Sequence, residues 1–276
     1  MHKRSLGRGR QRGLSLIELM IALALGLIIV AALSQLYVNI SKNNDEMAKT
    51  NSQIENARFG MEFLREEIVH AGFWATHVPE FDDLSMLPGV APTDVPTAVP
   101  DPCLAYSTPW SDEHKSNLLG IAIDVRNNTL GSCAAPILED KLAGTDILVI
   151  RHSNTCEPGV GNCDDTGTFG QLYLQPGICE SDPLYVLDPN APLLNKDCDA
   201  GTSAPRRKFV QSIFYVREWS SDDPVEDGIP TLVRSTFELN GGTLAQQEAV
   251  PLVVGIERFR VELGIDSLSE TGAAVD

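Results

Sequence analysis

The sequence predicts an α+β protein, in which a long N-terminal α-helix packs on a mainly antiparallel β-sheet domain with disulfide-bonded loops. Three observations predict this fold class: an uninterrupted apolar segment near the N-terminus, an amphipathic continuation of it, and later apolar or alternating stretches between turn signals. The chain has 276 residues, of which 43% are hydrophobic and 21% charged. This is an ordinary globular composition, and the length allows one or two domains.

Charge is unevenly distributed along the chain. The formal net charge is −17, yet residues 1–13 contain five basic side chains and no acidic one. An acidic body repels phosphate backbones, which argues against a nucleic-acid partner. The basic segment is explained if it remains in the cytoplasm while the acidic body leaves it.

The first element, residues 14–38, is predicted to be a transmembrane helix. Residues 19–33 carry no polar side chain, and about 20 apolar residues span a bilayer as a helix. Two simpler interpretations also fit: a plain membrane anchor, or a secretory signal peptide removed after Ser34 to release a chain that begins at Gln35. Glu18 argues against both, because an ionisable group in such a segment is costly and requires a partner, such as a free α-amino group.

Residues 13–20 resemble the processing site of type IV prepilins and pseudopilins, in which a glycine precedes the cut and an acid follows in the apolar helix. The resemblance implies a pilin-like fold, cleavage after Gly13 by a prepilin peptidase, and N-methylation of Leu14. It also implies that Glu18 pairs with the N-terminal amine of a neighbouring subunit during assembly. Phe is commoner than Leu at the first mature position, and many major pilins have a proline where this chain has Gln35. The second departure argues against a major pilin.

The second part of the helix, residues 39–72, is predicted to be amphipathic. We expect one stripe, with alternating spacings of three and four, to be buried against the sheet; it comprises Met47, Thr50, Ile54, Ala57, Met61, Leu64 and Ile68. Gly72 is expected to end the helix. Residues 63–74 and 254–266 resemble the PilW subfamily of minor pilins, which implies a low-copy role in starting or capping a filament.

Residues 73–276 are predicted to form a globular, β-rich extracytoplasmic domain. The proline-rich stretch at 79–109 indicates an irregular surface loop. Strands are predicted at 146–151, 209–217, 231–239 and 252–263, with a weaker candidate at 120–125. The third of these is followed by Asn240-Gly241-Gly242, a hairpin-type turn.

All six cysteines lie in this domain, after the apolar segment. An even number of cysteines outside the cytoplasm indicates disulfides. Proximity in the chain indicates the pairs Cys156–Cys163, Cys179–Cys198 and Cys103–Cys133, of which the first closes the shortest loop. Because no C-x-x-C occurs and the histidines are not spaced as zinc ligands, no metal or other cofactor is predicted.

The function predicted from these features is structural. No nucleophile elbow, P-loop, H-E-x-x-H or dinucleotide fingerprint occurs, so the chain is predicted not to be an enzyme. The resemblance implies a minor pilin of a type IV pilus, anchored once in the bacterial inner membrane with its C-terminal domain in the periplasm, and later part of the pilus at the cell surface. Its expected partners are the prepilin peptidase, other minor and major pilins, the inner-membrane assembly machinery and the lipid bilayer.

Two alternatives remain open at the level of sequence. One is a type II secretion pseudopilin, which the residues before 72 do not distinguish from a pilin. The other is a secreted, disulfide-bonded binding domain with a cleaved signal peptide, whose mature N-terminus would be Gln35.

Overall fold

The computed structural model describes residues 13, 15–80, 92–106, 110–127, 130–165, 167–221 and 225–264. The basic segment up to residue 12, Leu14 and part of the proline-rich stretch therefore lie outside the described residues. The chain divides into two compact units, Met1–Glu55 and Asn56–Asp276.

A single long helix, α1, occupies Leu16–His70. This stretch contains no proline and is rich in Leu, Ala, Glu and Met, which lose little side-chain freedom in a helix. At its C-terminal end, Gly72 takes a left-handed conformation with φ of +75°, and its N–H donates to the carbonyl of Arg151 at 3.0 Å. The prediction that the helix ends near Gly72 is confirmed.

The globular unit contains an eight-stranded sheet in which every described strand pair is antiparallel. A short helix, α2 (Asp112–Gly120), precedes the strands β1 (Ile123–Arg126), β2 (Ile147–Ser153), β3 (Tyr173–Pro176), β4 (Tyr185–Asp188), β5 (Arg207–Arg217), β6 (Thr231–Asn240), β7 (Thr243–Gln246) and β8 (Val250–Val254). β5 is central, since it pairs with β2, β3 and β6. The predicted α+β fold with an antiparallel sheet is confirmed.

The turn after β6 is the predicted hairpin. Asn240 pairs with Thr243, and the two glycines between them have φ values of +57° and +87°. A two-residue hairpin loop with positive φ at both central positions matches the twist of the strands it joins. Glycine adopts this backbone without a steric penalty.

The predicted strand at 252–263 is wrong in its second half. β8 ends at Val254, and Gly255 follows with a φ of +82°. Residues 256–264 belong to no described ladder, although the N–H of Asp146 donates to the carbonyl of Phe259 at 2.9 Å. Phe259 and Val261 pack on the core while Arg260 is exposed. The alternating pattern therefore identifies extended backbone, but it does not reveal whether a strand lies beside it.

The shortest elements are absent from the sequence-based expectation. β3, β4 and β7 have four residues each, which is too short for a periodicity to be measured. The weaker strand candidate at 120–125 contains the last residue of α2 and the start of β1.

The central strands are buried on both faces. On one face of β2, Leu148 and Ile150 pack with Leu64 of α1. On the other face, Ile147 and Val149 pack with β5 and with the loops around the Cys103–Cys133 disulfide. Burial on both faces explains why the sequences of the central strands are continuous apolar runs and do not alternate between apolar and polar residues.

The face of α1 that packs on the sheet differs from the predicted stripe. Only Leu64 of that stripe is buried, whereas Met47 and Met61 are 63% and 69% exposed. The observed contact face, which we call the sheet-facing side of α1, comprises Asn56, Gly60, Phe63, Leu64 and Glu67.

Polar contacts explain this difference. Asn56 Nδ2 donates to the carbonyl of Val254 at 3.3 Å, and Glu67 faces two basic side chains of the sheet. A search for apolar periodicity discards such residues, because it cannot anticipate that the sheet supplies their partners.

Candidate functional site at the start of the long helix

The predicted processing and assembly residues lie at the start of α1. Gly13 is exposed, and a Cβ added to it would meet no heavy atom within 4 Å. Leu14 lies outside the described residues. Glu18 is exposed in the first turn of the helix. The peptide segment around the predicted cut is therefore sterically open where the structure describes it.

Ser15 is a residue of this site that the sequence-based reasoning missed. Its backbone N–H donates to Oε2 of Glu18 at 2.9 Å, and its Oγ accepts from the N–H of Ile17 at 3.2 Å. The spacing Ser-x-x-Glu just before an apolar run is a known signal for a helix N-terminus. That signal was present in the sequence and would have identified Ser15.

The side chains that follow in the helix are apolar and uncovered. Within α1 an 18-residue window reaches a mean hydropathy of 2.8, and none of it is buried by the protein. Leu16 and Leu27, for example, are 78% and 71% exposed. Exposing such a surface to water costs about 25 cal/mol per Å². By length and composition, this helix is able to cross a membrane.

A family model described as "Prokaryotic N-terminal methylation motif" matches residues 8–34. The matched interval contains Gly13, Leu14 and Glu18, the residues that the sequence predicts for processing and assembly. The match supports a type IV pilin-like protein, a structural class, and the helix-plus-sheet fold is consistent with it. No curated protein and no solved structure matches the chain.

The motif and the helix together support three broader conclusions. They support anchoring in a membrane through the apolar helix. The motif implies processing by a prepilin peptidase, and it implies association with pilin or pseudopilin machinery. All three belong to the class of protein and not to a particular member of it.

Three disulfides connect the loops of the globular unit. They join Cys103 to Cys133, Cys156 to Cys163, and Cys179 to Cys198, the same pairs that proximity indicates. Their Cα atoms are 5.1, 5.6 and 5.2 Å apart, within the range of roughly 4.4–6.8 Å that a disulfide spans.

One of these bridges also accounts for the one group of metal-ligand side chains found among the described residues. Asp101, Cys103 and Cys133 lie close together, but both sulfurs are bonded to each other. The Asp101 carboxylate accepts hydrogen bonds from the N–H groups of Cys103 and Ser132, each at 3.0 Å. This group therefore connects loop residues, and neither sulfur is available as a thiolate to bind a cation.

A partly buried charged cluster lies between α1 and the sheet. Glu67 Oε1 is 3.5 Å from Arg234 Nη2, and Glu67 Oε2 is 3.7 Å from His152 Nε2. Burial raises the pKa of Glu67, but the imidazole of His152 and the guanidinium of Arg234 outweigh it, so the pKa is lowered overall. Through this cluster α1 contacts both β2 and β6.

Two of the open grooves on the described surface of the globular unit differ in their lining. The larger, of about 650 Å³, lies between α1 and the extended segment 256–264, and is lined by apolar groups such as Met61, Ile68 and Phe259. The smaller, of about 440 Å³, has a mixed lining in which the rings of His77 and Tyr185 are 4.7 Å apart. Burial lowers the pKa of His77 against the opposing charges of two nearby acids, and burial raises the pKa of Tyr185.

Proposed function

We propose that this chain is a minor pilin of a type IV pilus, and that it acts by packing into a filament instead of by catalysis. The methylation motif at residues 8–34, at the head of a helix that continues through Leu16–His70, carries the proposal. The resemblance to PilW favours a low-copy role in starting or capping the filament.

The basic segment sets the orientation in this proposal. Residues 1–13 carry five bases and no acid, and basic flanks remain on the cytoplasmic side of a membrane segment. The globular unit then lies in the periplasm, where its three disulfides are chemically favoured. A prepilin peptidase cuts after Gly13 and methylates the amine of Leu14.

Assembly depends on Glu18 in this mechanism. A carboxylate within an apolar segment costs roughly 2.5–3.5 kcal/mol at the helix centre and less near the end. An amine from the N-terminus of an adjacent subunit neutralises it, so the subunit gains most from one axial position relative to its neighbour. The pair thereby sets the register of helices that apolar packing alone would leave free to slide.

Mass spectrometry of the mature protein tests the proposal most directly. We expect the N-terminal residue of the chain isolated from cells to be N-methylated Leu14. A mature chain that begins at Gln35 would contradict the proposal and support a secreted domain with a removable signal. Deletion of the gene then identifies the machine, because loss of pili supports a pilin and loss of protein secretion supports a pseudopilin.

Substitution of the assembly residue tests the mechanism. We expect Glu18→Ala to leave membrane insertion intact and to abolish recovery of the subunit in sheared filaments. Glu55→Ala is the matched control, since Glu55 is an exposed acid of the same helix and should be incorporated normally. Normal piliation with Glu18→Ala would refute the pairing.

A further inference from the structure

Arg151 is a fully buried cation in the globular unit, with a relative exposure of 0%. Since side chains alternate along a strand, it lies on the same face of β2 as Val149, away from α1. Its Nε donates to Gln211 Oε1 and its Nη1 donates to the carbonyl of Ile121, each at 2.8 Å. Its Nη2 is buried and has no hydrogen-bond partner among the described residues. Burying such a donor on a charged group is costly unless something accepts from it.

A chain of side-chain amides leads from Arg151 across the sheet to β7. Gln211 Nε2 donates to Gln246 Oε1 at 3.1 Å and to the carbonyl of Pro102 at 2.7 Å. These bonds orient both amides, because each oxygen accepts and only the nitrogens can donate. The remaining polar atom of Gln246 is therefore the donor Nε2, which is buried and likewise finds no acceptor in the described part of the chain.

Two rings at the start of α2 bring further N–H groups to this region. The rings of Trp110 and His114 are 5.0 Å apart, and Trp110 is 5.5 Å from the ring of Phe237, the ladder partner of Gln246. Trp110 Nε1 and His114 Nε2 are both buried, with no partner from the residues that the structure describes. The indole nitrogen can only donate, and the imidazole nitrogen donates in one of its two neutral tautomers.

The region carries a positive charge that its own acids do not neutralise. Burial lowers the pKa of Arg151 to about 10, which still leaves it protonated at neutral pH. Asp124 attracts it, but the Asp124 carboxylate is paired with Arg126 at 2.9 Å, so the pair has little net charge. Burial lowers the pKa of His114, and the charge of Arg151 lowers it further against the attraction of Asp101. The imidazole is therefore neutral at pH 7, near a buried guanidinium.

We propose that Arg151, Gln246, Trp110 and His114 bind a small inorganic anion of the size of chloride, between the sheet and the start of α2. An anion accepts from several N–H groups and neutralises the guanidinium. A water molecule brings two hydrogens of its own into a region that is already rich in donors, and it leaves the charge uncompensated. The site lies in the globular unit and goes beyond the proposed function, because it does not depend on assembly into a filament.

Thermal unfolding of the full-length chain in a nonionic detergent tests the site. Because the anion binds only the folded state, it should stabilise that state in a saturable way. We expect sodium chloride to raise the midpoint temperature by about 2–4 °C over sodium gluconate, an anion too large for the site, at equal ionic strength. Tryptophan fluorescence follows the transition. Equal midpoints in the two salts would overturn the proposal and assign the donors to water.

Substitution of the buried cation links the effect to the site. We expect Arg151→Gln to unfold at the same temperature in both salts. Arg217→Gln is the matched control, since Arg217 is also buried but donates to the carbonyls of Trp219 and Ser220 at 3.1 and 3.4 Å. It should lose stability in both salts and keep the chloride effect. A chloride effect that persists in Arg151→Gln, or that disappears in Arg217→Gln, would overturn the site.

A milder variant and a direct observation decide the matter if Arg151→Gln does not fold. Trp110→Phe keeps an aromatic ring and removes one donor, so it should raise the chloride concentration of half effect roughly fivefold. An unchanged concentration would overturn the site as proposed. Crystals of the full chain grown in bromide should show anomalous density beside Arg151 Nη2. Bromide at exposed positions alone would mean an adventitious ion only, and would also overturn the proposal.

Discussion

Glu67 is the charged side chain that α1 turns toward the sheet. Its side chain is 14% exposed and lies between His152 of β2 and Arg234 of β6. Arg234 also donates through Nε to the hydroxyl of Ser212 at 3.2 Å, so its guanidinium is held in place. Removing one partner from such a cluster leaves the others buried and uncompensated, which is the costly way to break an ion pair.

The lowered pKa of Glu67 gives a stability that depends on pH. Because the pKa is lower in the folded state than the unfolded value of 4.5, the contribution is present above that value and is lost as the pH falls through the folded pKa. We expect Glu67→Gln to lower the unfolding free energy by about 1–3 kcal/mol at neutral pH. The difference from the wild type should shrink as the pH falls below 4.5 and through the folded pKa of Glu67, in urea titrations followed by tryptophan fluorescence in detergent.

Glu66→Gln provides the control for this measurement. Glu66 is the neighbouring acid, but its side chain is exposed, and a surface change of this kind usually alters stability by less than about 0.5 kcal/mol. A loss in Glu66→Gln as large as that in Glu67→Gln would show that charge on the helix, and not the contact with the sheet, matters.

At the scale of elements, α1 lies close to β8 at Gly60. A Cβ built on Gly60 lies 3.3 Å from Cγ2 of Val253, which is tight but leaves room for a small adjustment. Glycine inside a helix costs roughly 1 kcal/mol relative to alanine. Gly60 therefore lowers the helix propensity of α1, but its missing side chain allows the helix to pack closely on β8. The rest of α1 on this side is held by larger groups, such as Phe63 against Phe214.

Enlarging this contact should separate the helix from the sheet. We expect Gly60→Leu to lower the unfolding free energy by about 1–3 kcal/mol, because the added side chain overpacks the contact with Val253. Ala57→Leu is the matched control, since Ala57 is exposed nearly one turn away. Equal stability of both variants in urea denaturation would mean that Gly60 is not a packing constraint.

The disulfides differ in the length of chain that they close. Cys103–Cys133 spans 30 residues and Cys156–Cys163 spans 7. On loop entropy, replacing both cysteines by serine should cost about 3.5 kcal/mol for the longer loop and about 2.5 kcal/mol for the shorter. Paired urea titrations check this order, and a larger loss for the shorter loop would contradict it.

At the scale of the whole molecule, the uncovered apolar helix predicts how the chain fractionates. We expect the full-length protein to remain in the membrane pellet after carbonate extraction, because its apolar window is unburied by protein. A variant that lacks residues 19–33 should move to the soluble fraction. Release of the unaltered chain by carbonate would contradict a membrane-spanning role for α1.

The sequence is most informative where one physical requirement dominates. The apolar run, the end of the helix near Gly72 and the hairpin after Asn240 each follow from a single local preference, and each is confirmed. The rotation of α1 about its axis does not follow from a local preference, because Asn56 and Glu67 are polar and gain their partners only from distant strands. The capping role of Ser15 could be predicted from the sequence, because the capping pattern is local and needs no tertiary information.

The central position of β5 has a consequence for how the molecule is made. β5 begins at Arg207 and pairs with β2, β3 and β6, so the early hairpins of the domain have no common partner until more than 200 residues have been synthesised. Contacts of such large sequence separation form slowly. We therefore expect the nascent chain to spend a long interval with unpaired strand edges exposed, and to need protection by chaperones during its biogenesis.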